Sequence, residues 1–379
     1  MKPYLTYYKK NKIIPVIKVN NKNTKILDKQ RSNLFDQLKI DKRLFYNSEV
    51  LEVGPGTGYN ANYLINCGVK KITLVDGNKS SIESVKKTLK KKKSTQYKIL
   101  QNDFLDLRLK KKFDFVICEN VISGVKNPEK FFRKLSSLVS DNGYLLINCS
   151  DNISLFSEKI RGVIAYLLID VNKLNNSSFK IKTKFLSKVF ASHLKSLGRN
   201  TRAIDDWVQD VLLYEYWWRK KSYFSLYSAI NTVKDKFNFY SSSPFCFTSY
   251  SWYKNTKFSL NDHTLNEFLK IQQNFFDIRS KNIYFSKKEN KNFNNLVNKA
   301  CKCIYSLKYE NLNNLLSILY KFKKFVSKYE KNNLTVNSLN QVIVILSDYK
   351  KRKKIDIRKV EKLKSWWGYA TQYIVFKKK

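Results

Sequence analysis

Leu51-Glu52-Val53-Gly54-Pro55-Gly56-Thr57-Gly58-Tyr59-Asn60 decides the fold. A short apolar run, three glycines at alternate positions and the start of a helical pattern read as strand, tight turn and helix. Glycine lacks a Cβ and accepts positive φ, so the backbone can come close to a ligand there. The unpaired N–H groups and positive end of the following helix would face that ligand. Taken alone, three glycines are a weak signal.

Downstream of this turn the same unit repeats. Glu49–Val53, Ile72–Val75, Tyr97–Leu100, Phe113–Cys118 and Gly143–Cys149 read as strands. Helical patterns separate them near 58–67, from Ser80 (with serine as its cap) and from Pro128 to about Leu138. Strand and helix alternating at this pitch predict a doubly wound, mostly parallel sheet. Phe237–Tyr240 and Phe247–Tyr253 are expected to complete seven strands as an antiparallel pair at one edge. Upstream, 25–39 reads as a helix with Leu27, Arg31, Leu34 and Leu38 on one face.

The remainder is helical in pattern. Residues of about 154–220 form an expected helical insertion, and 258–379 an all-helical C-terminal region with an aromatic run, Tyr369–Phe376, near its end. The expected division is a basic segment and helix (1–44), the α/β domain with its insertion (45–257) and the C-terminal region (258–379).

In such sheets ligands bind at the carboxyl ends of the strands. There the sequence offers the glycine turn, then Asp76-Gly77, then Asp103-Phe104, then Glu119-Asn120. Asp76 is suited to accept both hydroxyls of a ribose. Asp103 is suited to accept from an exocyclic amine beside a ring that flanks a base. A nicotinamide fingerprint needs its third glycine one place later than Gly58, and no Lys-Ser/Thr pair follows the glycines as a phosphate-binding loop requires.

With these residues in order, the sequence resembles the class I S-adenosylmethionine-dependent methyltransferases. The resemblance is carried by Leu51–Gly58, Leu74-Val75-Asp76-Gly77, Asn102-Asp103-Phe104 and Phe113–Val116, with Glu119–Phe132 beside them. It covers about 45–150 and extends to the strand pair at 237–254. It implies S-adenosylmethionine as cofactor, with Glu52, Gly54, Gly56 and Gly58 on its methionine and ribose portion. It also implies Asp76 and Gly77 at the ribose, Asp103 and the Phe104 backbone at adenine, and Glu119 near the methyl donor. Shorter tracts, Tyr7–Asn11 with Ile14-Pro15-Val16, Val75–Asn78 and Thr371-Gln372-Tyr373, resemble methyltransferases that accompany bacterial surface-polysaccharide synthesis.

Methyl transfer from a sulfonium is an in-line displacement that needs alignment and exclusion of water, and a base only for an acceptor of high pKa. The candidate catalytic residues are Glu119, Asp206 and His193, with Asp205 and Asp210 near them. The expected acceptor is a small molecule or glycan.

The alternative, an RNA methyltransferase, draws on the charge: 73 Lys and Arg against 30 Asp and Glu, a net +43. A field of that sign favours anionic partners, whether acidic glycans, nucleic acid or a membrane surface, although abundant Lys and Asn also reflect an AT-rich genome. Against RNA as acceptor, Cys118-Glu119-Asn120 lacks the Asn/Asp-Pro-Pro-aromatic and Pro-Cys motifs of nucleic-acid enzymes. A scaffold without activity is disfavoured by the intact glycines and acids.

Six cysteines and two histidines, without paired spacing, argue against zinc and for reduced thiols in a cytoplasmic protein. No signal sequence opens the chain, and the apolar run Val163–Ile169 is too short to span a bilayer.

Overall fold

The computed structural model describes residues 3–11, 13, 24–198, 202–244, 247, 251, 254–280, 283, 285–330 and 332–379. The elements in chain order begin with α1 (Pro3–Asn11) and α2 (Thr24–Gln37), followed by β1 (Glu49–Val53), α3 (Tyr59–Asn66), β2 (Lys71–Asp76) and α4 (Lys79–Leu89). Next come β3 (Tyr97–Gln101), β4 (Phe113–Cys118), α5 (Pro128–Ser137) and β5 (Val139–Cys149). A helical stretch follows: α6 (Phe156–Val171), α7 (Phe179–Lys195), α8 (Ile204–Trp207), α9 (Glu215–Trp218) and α10 (Leu226–Val233). Then come β6 (Phe237–Ser243), α11 (Leu260–Ile271), α12 (Lys287–Tyr305), α13 (Leu312–Val326), α14 (Leu334–Arg352), α15 (Ile357–Glu361) and β7 (Gln372–Lys378).

The chain divides into two compact units. One comprises Met1–Ser150, Phe224–Glu267 and Thr371–Lys379; the other comprises Asp151–Tyr223 and Phe268–Ala370. The division differs from the one expected: the insertion and most of the C-terminal helices share a unit, and the last residues of the chain return to the first.

The first unit is a seven-stranded sheet in the order β3-β2-β1-β4-β5-β7-β6. β1 lies parallel to β2 and β4, β2 to β3, and β4 to β5, while β7 runs antiparallel to β5 and β6. The central strands are buried along almost their whole length. That is why they read as continuous apolar runs and not as alternating ones. Phe35, Phe45, Val50, Leu64, Leu74, Phe115 and Val375 pack into one core. The doubly wound expectation holds.

Two details correct it. The expected hairpin partner at Phe247–Tyr253 is not the seventh strand: Phe247 and Ser251 lie outside regular structure, and the other residues of that run are outside the described set. The partner is β7, which inserts between β5 and β6. At the start of α4 the cap is Asn78, whose side chain accepts from Ser80 N–H, and not the expected serine.

The second unit is helical. Its core gathers Phe156, Ile160, Val163, Phe190, Trp218, Leu315, Leu319, Val342 and Trp366. Among the described residues no helix is long and apolar enough to cross a membrane. The described cysteines Cys67, Cys118, Cys149, Cys301 and Cys303 are free thiols; Cys246 lies outside the described set. Among the described residues no His, Cys, Asp and Glu group is placed to hold a metal ion.

Candidate cofactor site

The carboxyl ends of β1, β2 and β4 gather most of the predicted residues within the first unit. Gly54, Gly56 and Gly58 all take positive φ, so the turn after β1 needs glycine at each place. A Cβ at Gly54 would come within 2.3 Å of Val121 Cγ2, which adds steric closure to the conformational demand. Gly58 is the N-cap of α3 and has no side chain to fill that end. The turn is fixed to the sheet by Gly54 N–H donating to Val75 O at 2.9 Å.

Asp76 ends β2. Its Oδ1 accepts from Asn78 N–H at 2.8 Å. Burial pushes its carboxyl up to about 6, against hydrogen bonds from Asn78, Ser81 and the Gly56 backbone. The same acid therefore joins the end of β2 to the glycine turn. Gly77 follows it in the bend before α4.

Asp103 turns the chain after β3, its Oδ1 accepting from Leu105 N–H at 2.8 Å. The Phe104 ring is placed differently from expectation. It is only 4% exposed, lies 5.0 Å from the Phe131 ring and has Lys134 Nζ 5.1 Å from its centroid. Its faces are taken by α5, so the Phe104 backbone rather than its ring remains available to a base.

Beyond β4, Asn120 adopts positive φ and pairs reciprocally with Asn148 of β5, both bonds at 2.7 Å. This holds the β4 and β5 ends together and orients Glu119. Arg31 of α2 reaches Glu119 through Nη1 at 2.6 Å and Nη2 at 3.1 Å, and Nη2 also donates to Asn60 Oδ1. Tyr373 of β7 donates to Glu119 Oε2 at 3.2 Å. Burial works against the Arg31 charge, and Glu119 more than offsets this, so its pKa is raised. α2 is held a second time by Tyr59 O–H donating to Asp28 at 2.7 Å.

Glu52, at the penultimate position of β1, is 2% exposed, and its Oε2 is buried with no hydrogen-bond partner. Burial first, then the Glu119 charge, push its carboxyl up to about 8, while Arg31 and Asn60 pull the other way. A buried carboxyl oxygen without a donor is costly. Beside a glycine turn and a helix N-terminus, it marks where a ligand's donor group would be satisfied. Arg31, Asn60 and Tyr373 escaped sequence reading. Arg31 had been grouped with an apolar helix face, and a cation in such a stripe was the available signal.

Two expected catalytic residues, His193 and Asp206, lie in the other unit. His193 is fully buried on α7, its Nδ1 accepting from Arg161 Nε at 3.0 Å and its ring 4.9 Å from that of Phe190. Burial, then Arg161, push its pKa down to about 2, so it stays neutral. It packs between Arg161 and Phe190 within the helical unit. Asp206 on α8 is 9% exposed, and its backbone O accepts from Arg202. Asp205 accepts from Ser187 Oγ at 2.5 Å, and Asp210 pairs with Arg202 at 2.7 Å.

Residues 44–191 match a family model described as a methyltransferase domain. A ubiquinone biosynthesis O-methyltransferase of Rickettsia felis is 33% identical over 100 residues, covering 26% of this chain and 40% of that protein. The Rickettsia typhi protein of the same description is 28% identical over 209 residues, covering 53% of this chain and 84% of that one. The chain thus spans less than two thirds of the first of these relatives. Among solved structures, the N-methyltransferase NodS from Bradyrhizobium japonicum, in complex with S-adenosyl-L-homocysteine, is 14% identical with a TM-score of 0.32, over 40% of this chain and 75% of that one. TehB from Haemophilus influenzae is 22% identical with a TM-score of 0.27, over 31% of this chain and 40% of that one. The glycine turn, Asp76 and Asp103 at successive strand ends thus lie in a methyltransferase domain, whose match to the family model runs over residues 44–191.

Proposed function

We propose that this chain transfers a methyl group from S-adenosylmethionine to an oxygen of a small-molecule or glycan acceptor. The observation that carries the reading is the unpartnered Glu52 Oε2 beside the Arg31–Glu119 pair and the glycine turn. One buried oxygen lacks a donor and one buried cation faces two acids, which is a complement for a zwitterionic amino-acid end. Glu52 and Glu119 would receive its ammonium and Arg31 its carboxylate. Asp76 would accept the ribose hydroxyls, and Asp103 with the Phe104 backbone would hold the adenine. S-adenosylmethionine, when bound, supplies an electrophilic methyl and a good leaving group. What the protein adds is alignment and dryness. Glu119, held by Arg31 and Tyr373, serves orientation more than proton removal.

The oxygen acceptor is supported by the Rickettsia relatives, which are described as O-methyltransferases of ubiquinone biosynthesis. The glycan reading is supported by the tract Thr371-Gln372-Tyr373, whose tyrosine reaches Glu119. Of the companion tracts, Tyr7–Asn11 lies in α1 and Ile14-Pro15-Val16 lies outside the described residues.

Calorimetric titration with S-adenosylmethionine tests the cofactor reading; no heat of binding to the wild-type chain would sink it. Methyl-labelled cofactor given to a native lysate with the purified chain then tests the acceptor. Label is expected in a small organic-soluble or glycan fraction as an alkali-stable ether. Label confined to RNase-sensitive material would replace this reading with RNA methylation.

A further inference from the structure

The second unit carries a row of cations seated over tyrosine rings. Arg219, Lys220 and Lys221 are consecutive, and each covers a different ring. Arg219 lies 4.8 Å from the centroid of Tyr166, Lys220 5.7 Å from Tyr216, and Lys221 4.5 Å from Tyr305. Tyr166 stacks on Tyr309 with centroids 4.8 Å apart and planes 8° from parallel. Beyond Tyr309 sits Lys353 Nζ, 5.7 Å from that ring and 4.3 Å from Tyr349. Lys353 belongs to five consecutive exposed cations, Lys350-Lys351-Arg352-Lys353-Lys354, where α14 ends.

The row runs continuously from α12 through α9 and α6 to the end of α14. It reaches the surface: Tyr305 is 49% exposed, Lys221 is exposed, and Tyr166, Tyr216 and Tyr309 are half-buried. Nearby acids on these elements are engaged. Glu215 pairs with Arg219, Asp170 accepts from Tyr349 O–H at 2.6 Å, and Asp348 pairs with Lys359.

A lysine-rich composition alone scatters ammonium groups into water, where they are best hydrated. Seating them in sequence over aromatic rings needs placed partners. A row of ring-seated cations with one half-exposed ring, Tyr305, fits a flexible polyanion that also offers a planar group for stacking. We propose that this track binds single-stranded nucleic acid, with phosphates on Lys221, Lys220 and Lys350–Lys354 and a base on Tyr305. The binding is independent of the methyl acceptor and of the cofactor reading, since every residue involved belongs to the helical unit.

The test uses the full chain and a short fluorescein-labelled oligouridylate, followed by anisotropy over a salt series. The expected result is tight binding with a log–log salt slope of about −3 or steeper. Tyr305→Ala should weaken it about tenfold without changing that slope. Lys221→Gln with all five residues of 350–354 changed to Gln should flatten the slope. Tyr305→Leu keeps an apolar side chain of similar bulk but no ring face, and should match Tyr305→Ala. Thermal melts of each variant show that the fold is kept. Unchanged affinity in both Tyr305 variants, equal competition by duplex RNA or heparin, or binding to anionic vesicles but not to the oligonucleotide, would each overturn the proposal.

Discussion

Both compact units bury charge, and they treat it in opposite ways. In the helical unit Arg161 and Asp277 are enclosed by partners from their own chain. Arg161, 1% exposed, donates to Ser157 O, Leu363 O, Lys364 O and His193 Nδ1, and lies 3.8 Å from the centroid of Trp367. Asp277, 2% exposed, accepts from Arg279 and Thr335, while Glu330 receives Thr335 N–H and Val336 N–H at the positive end of α14. In the sheet unit, Glu52 keeps an oxygen unpartnered beside the Arg31–Glu119 pair. Enclosed ions hold helices in register; a buried carboxyl left incomplete reserves a place for something that arrives later. Burial of charge alone does not identify a site. Unsatisfied burial beside a backbone anion cradle does.

The comparison can be broken most forcefully at Arg161. Arg161→Met should cost about 3 kcal/mol or more, because several carbonyls and an imidazole lose their donor at once. Calorimetric melting should show it as a large fall in Tm. A Tm unchanged from wild type would mean that the enclosed ion is not structural. Next in size is Asp76→Ala. It should weaken S-adenosylmethionine binding by tenfold to a hundredfold, since hydrogen bonds to a charged group are lost. The apo Tm should stay the same or rise, because a carboxylate resisted by burial has been removed.

pH separates the units by sign. Folded Glu52 keeps its proton up to about 8, against an ordinary 4.5, so the sheet unit loses stability as pH rises between those values. Folded His193 refuses a proton until about 2, against an ordinary 6.5, so the helical unit loses stability as pH falls below 6.5. Hydrogen exchange read peptide by peptide should show β1 loosening toward alkali and α7 toward acid. Glu52→Gln should remove the first trend, with a gain at alkaline pH of at least about 1.4 kcal/mol. Identical pH responses in β1 and α7 would erase the distinction. The smallest effect is expected from Tyr373→Phe. Loss of one donor to Glu119 should raise the cofactor Kd about threefold to tenfold while leaving Tm nearly unchanged.

Much of the sheet was legible in the sequence for one physical reason. Parallel strands covered on both faces must be apolar throughout, and helices follow β1, β2 and β4, so these strands announce themselves by composition and pitch. The glycine turn was legible because three positive-φ positions in five residues accept little else. The edge strands were not. Tyr369–Phe376 and Phe247–Tyr253 are both short aromatic and β-branched runs, and nothing local says which will find β5. Pairing is a property of the partner and the register, not of the run. Arg31, Asn60 and Tyr373 were hidden because they come from α2, α3 and β7 and converge on Glu119 only in three dimensions. His193 and Asp206 drew attention as chemistry-bearing types, and their surroundings, which decide such roles, were invisible.

The insertion of β7 between β5 and β6 has a consequence in time. β5 and β6 are not paired with each other, so β6 cannot join the sheet's hydrogen bonding when it emerges during synthesis; it waits until the helices of the other unit have followed and β7 arrives. Such late, long-range closure is slow and leaves the β5 edge bare meanwhile. Tyr373 travels with that strand, so the last contact to Glu119 forms in the same step that seals the sheet. A nascent chain would acquire its finished donor-binding corner only when its folding is complete.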